Sequence, residues 1–328
     1  MLFKLLVSIG ISVGLLGLLI HFTLSSTDPS VWSSLVAAVA AFPPLFLLLY
    51  FCTSLLRTLL QSLRYRLLIG ASEPDVPSLY HMYLVVLSRN MFVDMLPARL
   101  GELSYIAMLN RGFRVSGESC VSSLTIAFVF DLIALGVLLG LLMLIQLVGG
   151  DFQAWMAGVL VMLVLLILFL LVLLFPAVAV ANRIIGRISW LQRGLAGKAA
   201  DLLVRIEQAL NASRKAGITT RLLALSLGVR VFKYLGLYGL FVGVAAVQFP
   251  ELSTRISLVL PALVSAEAGA SLPVPAFMGF GTYEAGGMLA LTALGASASL
   301  SLLVMLAMHV ISQIVDYLLG GVGLILFI

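Results

Sequence analysis

Two short stretches, far apart in the chain, interrupt apolar sequence with proline and glycine and then place a glutamate. The first, Leu96–Glu102, is LPARLGE, and the second, Leu272–Glu284, is LPVPAFMGFGTYE. An ionisable group at membrane depth is costly, and a broken helix persists there only where protein buries it or where it lines a wet cavity. A pair of such breaks, one in each half of a chain, is typical of transporters built from inverted repeats.

The composition requires a membrane environment. Of the 328 residues, 62% are hydrophobic and 10% are charged, whereas a soluble domain carries about 25% charged residues. No polar stretch is long enough for a separate catalytic domain of roughly 100 residues. We therefore interpret residues 1–328 as a single all-α, polytopic membrane domain.

The basic residues outnumber the acidic ones, 19 to 14, but most of them cluster in a few polar loops. This distribution indicates membrane topology and contact with anionic lipids, so we expect no nucleic-acid partner. Cys52 and Cys120 lie in apolar segments, and neither they nor the three histidines show metal-ligand spacing. The sequence predicts no disulfide framework, no metal site and no cofactor.

Six apolar stretches are close to the roughly 20 residues that a bilayer requires. They cover residues 5–24, 33–56, 119–147, 154–175, 221–246 and 301–327. No clear cleavage pattern follows the first stretch, so we expect a retained span and not a signal peptide. Residues 79–115 and 257–298 are not simple spans, because each holds proline, glycine and several ionisable residues at its centre.

Basic loops orient these segments, since cytoplasmic loops carry the excess of lysine and arginine. Basic residues concentrate around 57–66 and 183–215, whereas the short linkers that carry Asp28, Asp151 and Glu251 contain almost none. The two basic stretches are therefore predicted to be cytoplasmic and the linkers external. Both ends of the chain are then predicted to lie in the cytoplasm.

This orientation makes residues 79–115 a re-entrant hairpin that enters the membrane from the cytoplasm and returns there. Residues 257–298 become a second hairpin that enters from the outer face. Span, hairpin and span over 33–147 are then mirrored by span, hairpin and span over 221–327, which is an inverted repeat. Between the repeats, residues 180–217 interleave apolar residues with arginines and predict an amphipathic linker at the cytoplasmic interface.

The first hairpin carries the strongest candidate site, formed by Arg89, Asp94, Arg99 and Glu102. Proline and glycine break the helix, and the half-helix that follows points its N-terminal amides at the break, where a phosphate binds well. Arg99 adds a bidentate donor for phosphate. The alternative is that Arg99–Glu102 and Arg89–Asp94 are ion pairs that only let the hairpin fold.

The second half supplies further candidates. Glu284 follows the second break, and Glu267 lies among small residues that allow close helix approach. Arg230 and Lys233 fall about one turn apart and share a helix face. These two cations either bind substrate or extend to the cytoplasmic surface.

Three ionisable residues lie in the interior of predicted spans, namely Asp131, His309 and Asp316. They are either ion-pair partners of the cations or groups of a proton relay, and the sequence leaves both open. The motifs of zinc proteases, serine hydrolases and nucleotide-binding loops are missing from the sequence. Transport is therefore favoured over catalysis.

The stretch from Arg89 to Glu102, ending in LPARLGE, resembles the first signature of the lysylphosphatidylglycerol synthase/flippase membrane-domain family. The serine-rich start of span 119–147, with Asp131, is similar to the next block of that family, and Leu272–Glu284 is similar to its second Pro-Gly-Glu block. The chain departs from the family pattern at residues 275–277, where a more glycine-rich turn is usual.

The resemblance implies movement of lipids across a bilayer, either aminoacylated phospholipids, glycolipids or polyprenyl-linked intermediates. It also implies a membrane lipid as partner and the bacterial cytoplasmic (inner) membrane as location. Bifunctional members carry an aminoacyl-transferase domain after the membrane region, so the resemblance extends to transport and not to synthesis. We therefore expect a lipid flippase and no enzyme. The alternatives are a proton- or ion-coupled transporter of a small solute and an intramembrane lipid-modifying enzyme, and a homo-oligomer is compatible with the sequence.

Overall fold

The protein is described by a computed structural model that covers residues 2–23, 30–96, 100–149, 161–162, 164–165, 217–272 and 274–328. Within these ranges the regular structure is helical, which confirms the all-α prediction. The helices are α1 Leu2–Thr23, α2 Ser30–Ala40, α3 Pro44–Gly70, α4 Leu79–Met95, α5 Glu102–Phe113, α6 Gly117–Gly149, α7 Thr219–Gln248, α8 Ile256–Ala270, α9 Thr282–Ala293 and α10 Ala298–Phe327. A short 3-10 turn, Phe277–Gly279, precedes α9.

Four of these helices are long and apolar enough to cross a membrane. They are Pro44–Gly70, Gly117–Val148, Thr219–Gln248 and Ala298–Phe327. Leu6–His21 and Ile256–Ala270 are shorter apolar helices. The chain is therefore a multi-pass membrane protein. The predicted span 154–175 and the predicted amphipathic linker 180–217 fall almost entirely outside the described residues.

The span predicted over 33–56 has different boundaries in the structure. Helix α2 ends at Ala40, and α3 begins at Pro44 and continues to Gly70. The cause is Pro43-Pro44, because a residue before proline is forced out of the helical region, whereas proline is well suited to the first helical position. The arginines at 57–66 are therefore helical residues, and the prediction that they form a loop is wrong.

Both regions with central proline and glycine are broken helices, as their sequences predict. Helices α4 and α5 are separated by residues 96–101, and α8 and α9 by residues 271–281. We call α4–α5 the first hairpin and α8–α9 the second hairpin.

The chain divides into two compact units. The first comprises Met1–Thr58, Tyr83–Tyr105 and Phe232–Ile328, and the second comprises Leu59–Met82 and Ile106–Val231. The first unit contains both helix breaks and the whole of α10, whose segment from Leu302 to His309 is continuously buried.

The second hairpin is held together by glycines in the first unit. A Cβ atom on Gly286 would overlap the carbonyl group of Ser265, and one on Gly269 would overlap the carbonyl oxygen of Thr282. Backbone cannot move aside as a flexible side chain can, so only glycine fits at these positions. The prediction that small residues bring these helices into close contact is confirmed.

The first hairpin closes in the same way at one point. A Cβ atom on Gly101 would overlap the backbone of Phe92 and Val93. The other side of α4 packs on α10, where a Cβ atom on Gly320 would overlap that of Met91. The close approach at the break and the contact with α10 therefore both require a glycine, which has no side chain, at positions 101 and 320.

Candidate functional site

Glu284 lies at the start of α9 and is completely buried. Helix α9 follows Gly281, whose φ of 90° suits glycine. The N–H of Gly281 donates a hydrogen bond to Glu284 Oε2 at 2.7 Å. This is the return contact of a capping box, which satisfies an amide at the helix start. The second carboxylate oxygen, Oε1, lies 2.6 Å from Nδ1 of His309.

His309 on α10 is buried. Its Nε2 lies 3.1 Å from Nε2 of Gln313, one turn further along α10. The rings of Tyr283 and Phe280 stack on the imidazole with centroid distances of 4.3 and 4.5 Å. Gly281, Glu284, His309 and Gln313 thus form a continuous hydrogen-bonded chain from the second hairpin to the last span.

Glu267 on α8 also binds a residue of another helix. Lys233 Nζ lies 2.6 Å from Glu267 Oε1, and the Tyr234 hydroxyl donates to Oε2 at 2.9 Å. The side chains of Lys233 and Glu267 are 29% and 17% exposed. This pair is more accessible than the Glu284–His309 pair.

Asp316 on α10 binds residues of α3. The Tyr50 hydroxyl donates to Asp316 Oδ2 at 2.9 Å, and the Arg57 guanidinium lies 3.7 Å from the same oxygen. Sequence reasoning missed Arg57 because it placed the end of the span one residue earlier. The apolar residues that continue at helical spacing after Arg57, such as Leu59 and Leu63, are the signal that could have found it.

Asp94 on α4, in the first hairpin, lies within electrostatic range of these groups. Its carboxylate interacts electrostatically with Asp316, Arg57, Lys233 and His309. Arg57 in turn interacts with Glu267. The first unit therefore gathers charges from both hairpins and from three long helices. We call this set the central cluster, and its members are Arg57, Asp94, Lys233, Glu267, Glu284, His309 and Asp316.

Arg89 forms a bidentate pair with Glu102 across the first break. The Arg89 Nη2–Glu102 Oε1 distance is 2.5 Å and the Nε–Oε2 distance is 2.8 Å. The sequence instead paired Arg89 with Asp94 and Glu102 with Arg99. Arg99 lies outside the described residues. The pairing differs because Gly101 brings the start of α5 against α4.

The second unit has its own buried ion pair. Arg64 binds both carboxylate oxygens of Asp131, at 2.5 and 3.3 Å, and donates to the Ser226 hydroxyl at 2.9 Å. Arg230 approaches Asp131 at 3.8 Å. Arg230 and Lys233 share a helix face in sequence, but they bind different carboxylates. Asp131 is an ion-pair partner, one of the two roles that the sequence left open.

The described residues contain no group of three or more histidine, cysteine, aspartate or glutamate side chains arranged to hold a metal ion. The charged groups instead form ion pairs and hydrogen bonds with one another. Lysine and arginine bind phosphate, and carboxylates bind amines or protons.

One protein family matches almost the whole chain. Its profile, described as the lysylphosphatidylglycerol synthase TM region, aligns with residues 2–320. This match confirms the resemblance seen in the two Pro-Gly-Glu stretches. No curated protein and no solved structure matches the chain.

Proposed function

Because the chain belongs to the lysylphosphatidylglycerol synthase TM family, we propose that it moves the polar head group of a membrane lipid across the bilayer. The substrate is an anionic or modified phospholipid, a glycolipid or a polyprenyl-linked lipid. The two hairpins are re-entrant and enter from opposite faces, as halves of an inverted repeat. The protein works in a bacterial cytoplasmic membrane with both ends in the cytoplasm.

The central cluster is the observation that carries this proposal. Charged side chains in apolar helices are costly, and they are retained where they line a pathway or pair with one another. Here the helices that supply them include α4 of the first hairpin and both α8 and α9 of the second. An isolated ion pair involves only two helices. This cluster takes its charged side chains from three hairpin helices and from the three long helices α3, α7 and α10.

Lys233 is the cation best placed to bind a phosphate. Its side chain is more exposed than those of Arg57, Arg64, Arg89 and Arg230 in their ion pairs, and its partner Glu267 is also partly exposed. A phosphate that binds the Lys233 ammonium competes with Glu267 for it, so binding and release become an exchange of anions. Arg57, Arg89 and Arg99 are further cations of this pathway. Arg230, in the second unit, is a separate candidate contact for substrate. Asp94, Glu102 and Glu284 neutralise them between transport steps. The acyl chains stay in the bilayer, so only the head group needs the polar path.

The exchange is tested with matched charge-removing variants in proteoliposomes. With an acyl-labelled phosphatidylglycerol as the probe, Lys233→Gln should slow translocation by about tenfold or more, because a hydrogen bond to a charged group contributes about 1.5–3 kcal/mol. Glu267→Gln removes the anion that competes for Lys233. It should strengthen probe binding and so lower the probe concentration needed for a half-maximal rate. Mass spectrometry of lipids that co-purify with the protein identifies the natural substrate.

Arg66→Gln is the control, since it removes one positive charge from an exposed side chain of the second unit. It should leave the rate unchanged. If the pair is only a scaffold, Lys233→Gln and Glu267→Gln will lower the unfolding temperature together and translocation will follow stability. Full translocation by Lys233→Gln would contradict the proposed site.

A further inference from the structure

The tautomer of a neutral His309 follows from its two neighbours. The Gln313 amide nitrogen faces His309 Nε2 at 3.1 Å, and an amide N–H only donates, so Nε2 is the acceptor. The proton of the neutral ring is then on Nδ1, and it is donated to Glu284 Oε1 at 2.6 Å. Glu284 Oε2 already accepts from the Gly281 N–H. In this state the group formed by Glu284, His309 and Gln313 has a net charge of −1.

The same group is built to accept one more proton. Protonation of His309 Nε2 turns it into a donor, and rotation of the Gln313 amide by about 180° then presents Oε1 as the acceptor. Gln313 Oε1 is buried and has no hydrogen-bond partner among the described residues. The acceptor that the protonated state needs is therefore present and unused. The added proton brings the net charge from −1 to 0, which is the cheaper state in a buried, low-dielectric site.

We propose that Glu284, His309 and Gln313 form a proton-binding site whose occupancy controls the contact between the second hairpin and the last span. The proposal rests on the proposed function, because the movement it drives is that of the lipid pathway. With the proton bound, Glu284 and His309 form an ion pair, which is stronger than a bond from a neutral ring. Loss of the proton weakens the bond between Glu284 on α9 and His309 on α10 and releases the hairpin.

The surrounding charges act on His309 from several helices. Asp94 on α4 interacts with His309 electrostatically, and Asp316 lies two turns along α10. The other titratable groups of this region are Tyr283 on α9, Glu267 on α8, Lys233 on α7, Tyr50 and Arg57 on α3, and Tyr317 on α10. Helices α1 and α2 also pack on α10; α2 has no charged residue, and α1 carries the titratable His21 in its last turn.

A single-histidine protein tests the site without any lipid substrate. His21→Asn and His81→Asn leave His309 as the one histidine of the sequence. Nitrogen-15 NMR of this protein in bilayers of phosphatidylethanolamine and phosphatidylglycerol should show the Nδ1–H tautomer at high pH and imidazolium at low pH, with the change between about pH 5 and 8. A histidine that keeps one protonation state through this range overturns the proposal.

Two variants separate proton binding from simple packing. Gln313→Leu removes the acceptor for the Nε2 proton, so the NMR transition should move to lower pH by about one unit, a tenfold change in proton affinity. Ser312→Ala is the matched control, since its hydroxyl binds only the backbone carbonyl of His309. It should leave the transition in place. An unchanged transition in Gln313→Leu overturns the role given to the amide.

Translocation measured against pH then tests the coupling. The wild type should show a rate that changes by about tenfold per pH unit on one side of the NMR transition, and His309→Gln should remove this dependence. A wild type that titrates but translocates equally at every pH overturns the coupling. A wild type that titrates and moves none of the labelled lipid overturns the proposed lipid function, while the proton site stands.

Discussion

The two hairpins use the same pattern of proline, glycine and glutamate for different connections. In the first, Glu102 binds Arg89 of its own hairpin and its side chain is 24% exposed. In the second, Glu284 is fully buried and binds His309 of the last span. The first glutamate therefore closes a hairpin on itself, whereas the second joins a hairpin to its neighbour.

The position of the glutamate in its helix explains the difference. Glu102 is the first residue of α5, one residue after Gly101. Glu284 is the third residue of α9, where a side chain can reach back to the amide of Gly281. One carboxylate oxygen then caps the helix, and the other is available to a different helix. A shift of two residues thus changes a contact within one hairpin, which we call a clamp, into a contact between a hairpin and another helix, which we call a joint.

The largest expected effect is therefore at Glu284. Glu284→Ala leaves His309 Nδ1 and the Gly281 amide without their acceptor, and we expect the free energy of unfolding to fall by about 3–5 kcal/mol. Glu102→Ala should cost about 1 kcal/mol or less, because its pair with Arg89 is partly exposed. Chemical unfolding in detergent measures both. Glu284→Gln keeps one acceptor and should fall between them. Equal losses for the two alanine variants would remove the distinction between clamp and joint.

The glycines should respond alike in the two hairpins. Gly101→Ala and Gly286→Ala each push a Cβ atom into backbone, and overpacking of this kind costs about 1–3 kcal/mol. Gly321→Ala is the control, because nothing lies within 4 Å of its Cβ position in α10. It should stabilise the protein by about 0.5–1 kcal/mol, the helical preference of alanine over glycine. A gain at Gly286 would show that the second hairpin is packed more loosely than its glycines indicate.

The local features of both hairpins could be predicted from the sequence, whereas most partners of their charges could not. Proline and glycine act on their own neighbours, so the breaks at Gly101 and Gly281 follow from short stretches. The pairing of Glu284 with His309, or of Tyr50 with Asp316, joins residues 25 and 266 positions apart. Such pairs are set by the packing of whole helices. The sequence shows that each charged residue lies in an apolar stretch, but it does not show which residue is its partner.

The smallest expected effect lies at the base of the first hairpin, in the loop between α3 and α4. The Glu73 carboxylate accepts hydrogen bonds from the Ser119 hydroxyl at 2.7 Å and the Ser116 N–H at 3.1 Å. Hydrogen bonds from Ser116 and Ser119 hold the pKa of the Glu73 carboxyl below its ordinary value. A lowered pKa in the folded state means that the stabilisation is complete above the unfolded value of about 4.3 and is lost as pH falls through the folded value.

The unfolding temperature of the wild type should therefore exceed that of Glu73→Gln at about pH 6, and the difference should vanish towards about pH 3. Asp75→Asn removes the same charge from an exposed position in the same loop, so it controls for net charge. If Asp75→Asn and Glu73→Gln change in parallel with pH, the hydrogen bonds to α6 are not the cause. If only Glu73→Gln loses its deficit in acid, the base of the first hairpin is fastened by a carboxylate that titrates. In that case acid loosens the first hairpin at its base, whereas a proton on His309 tightens the joint of the second.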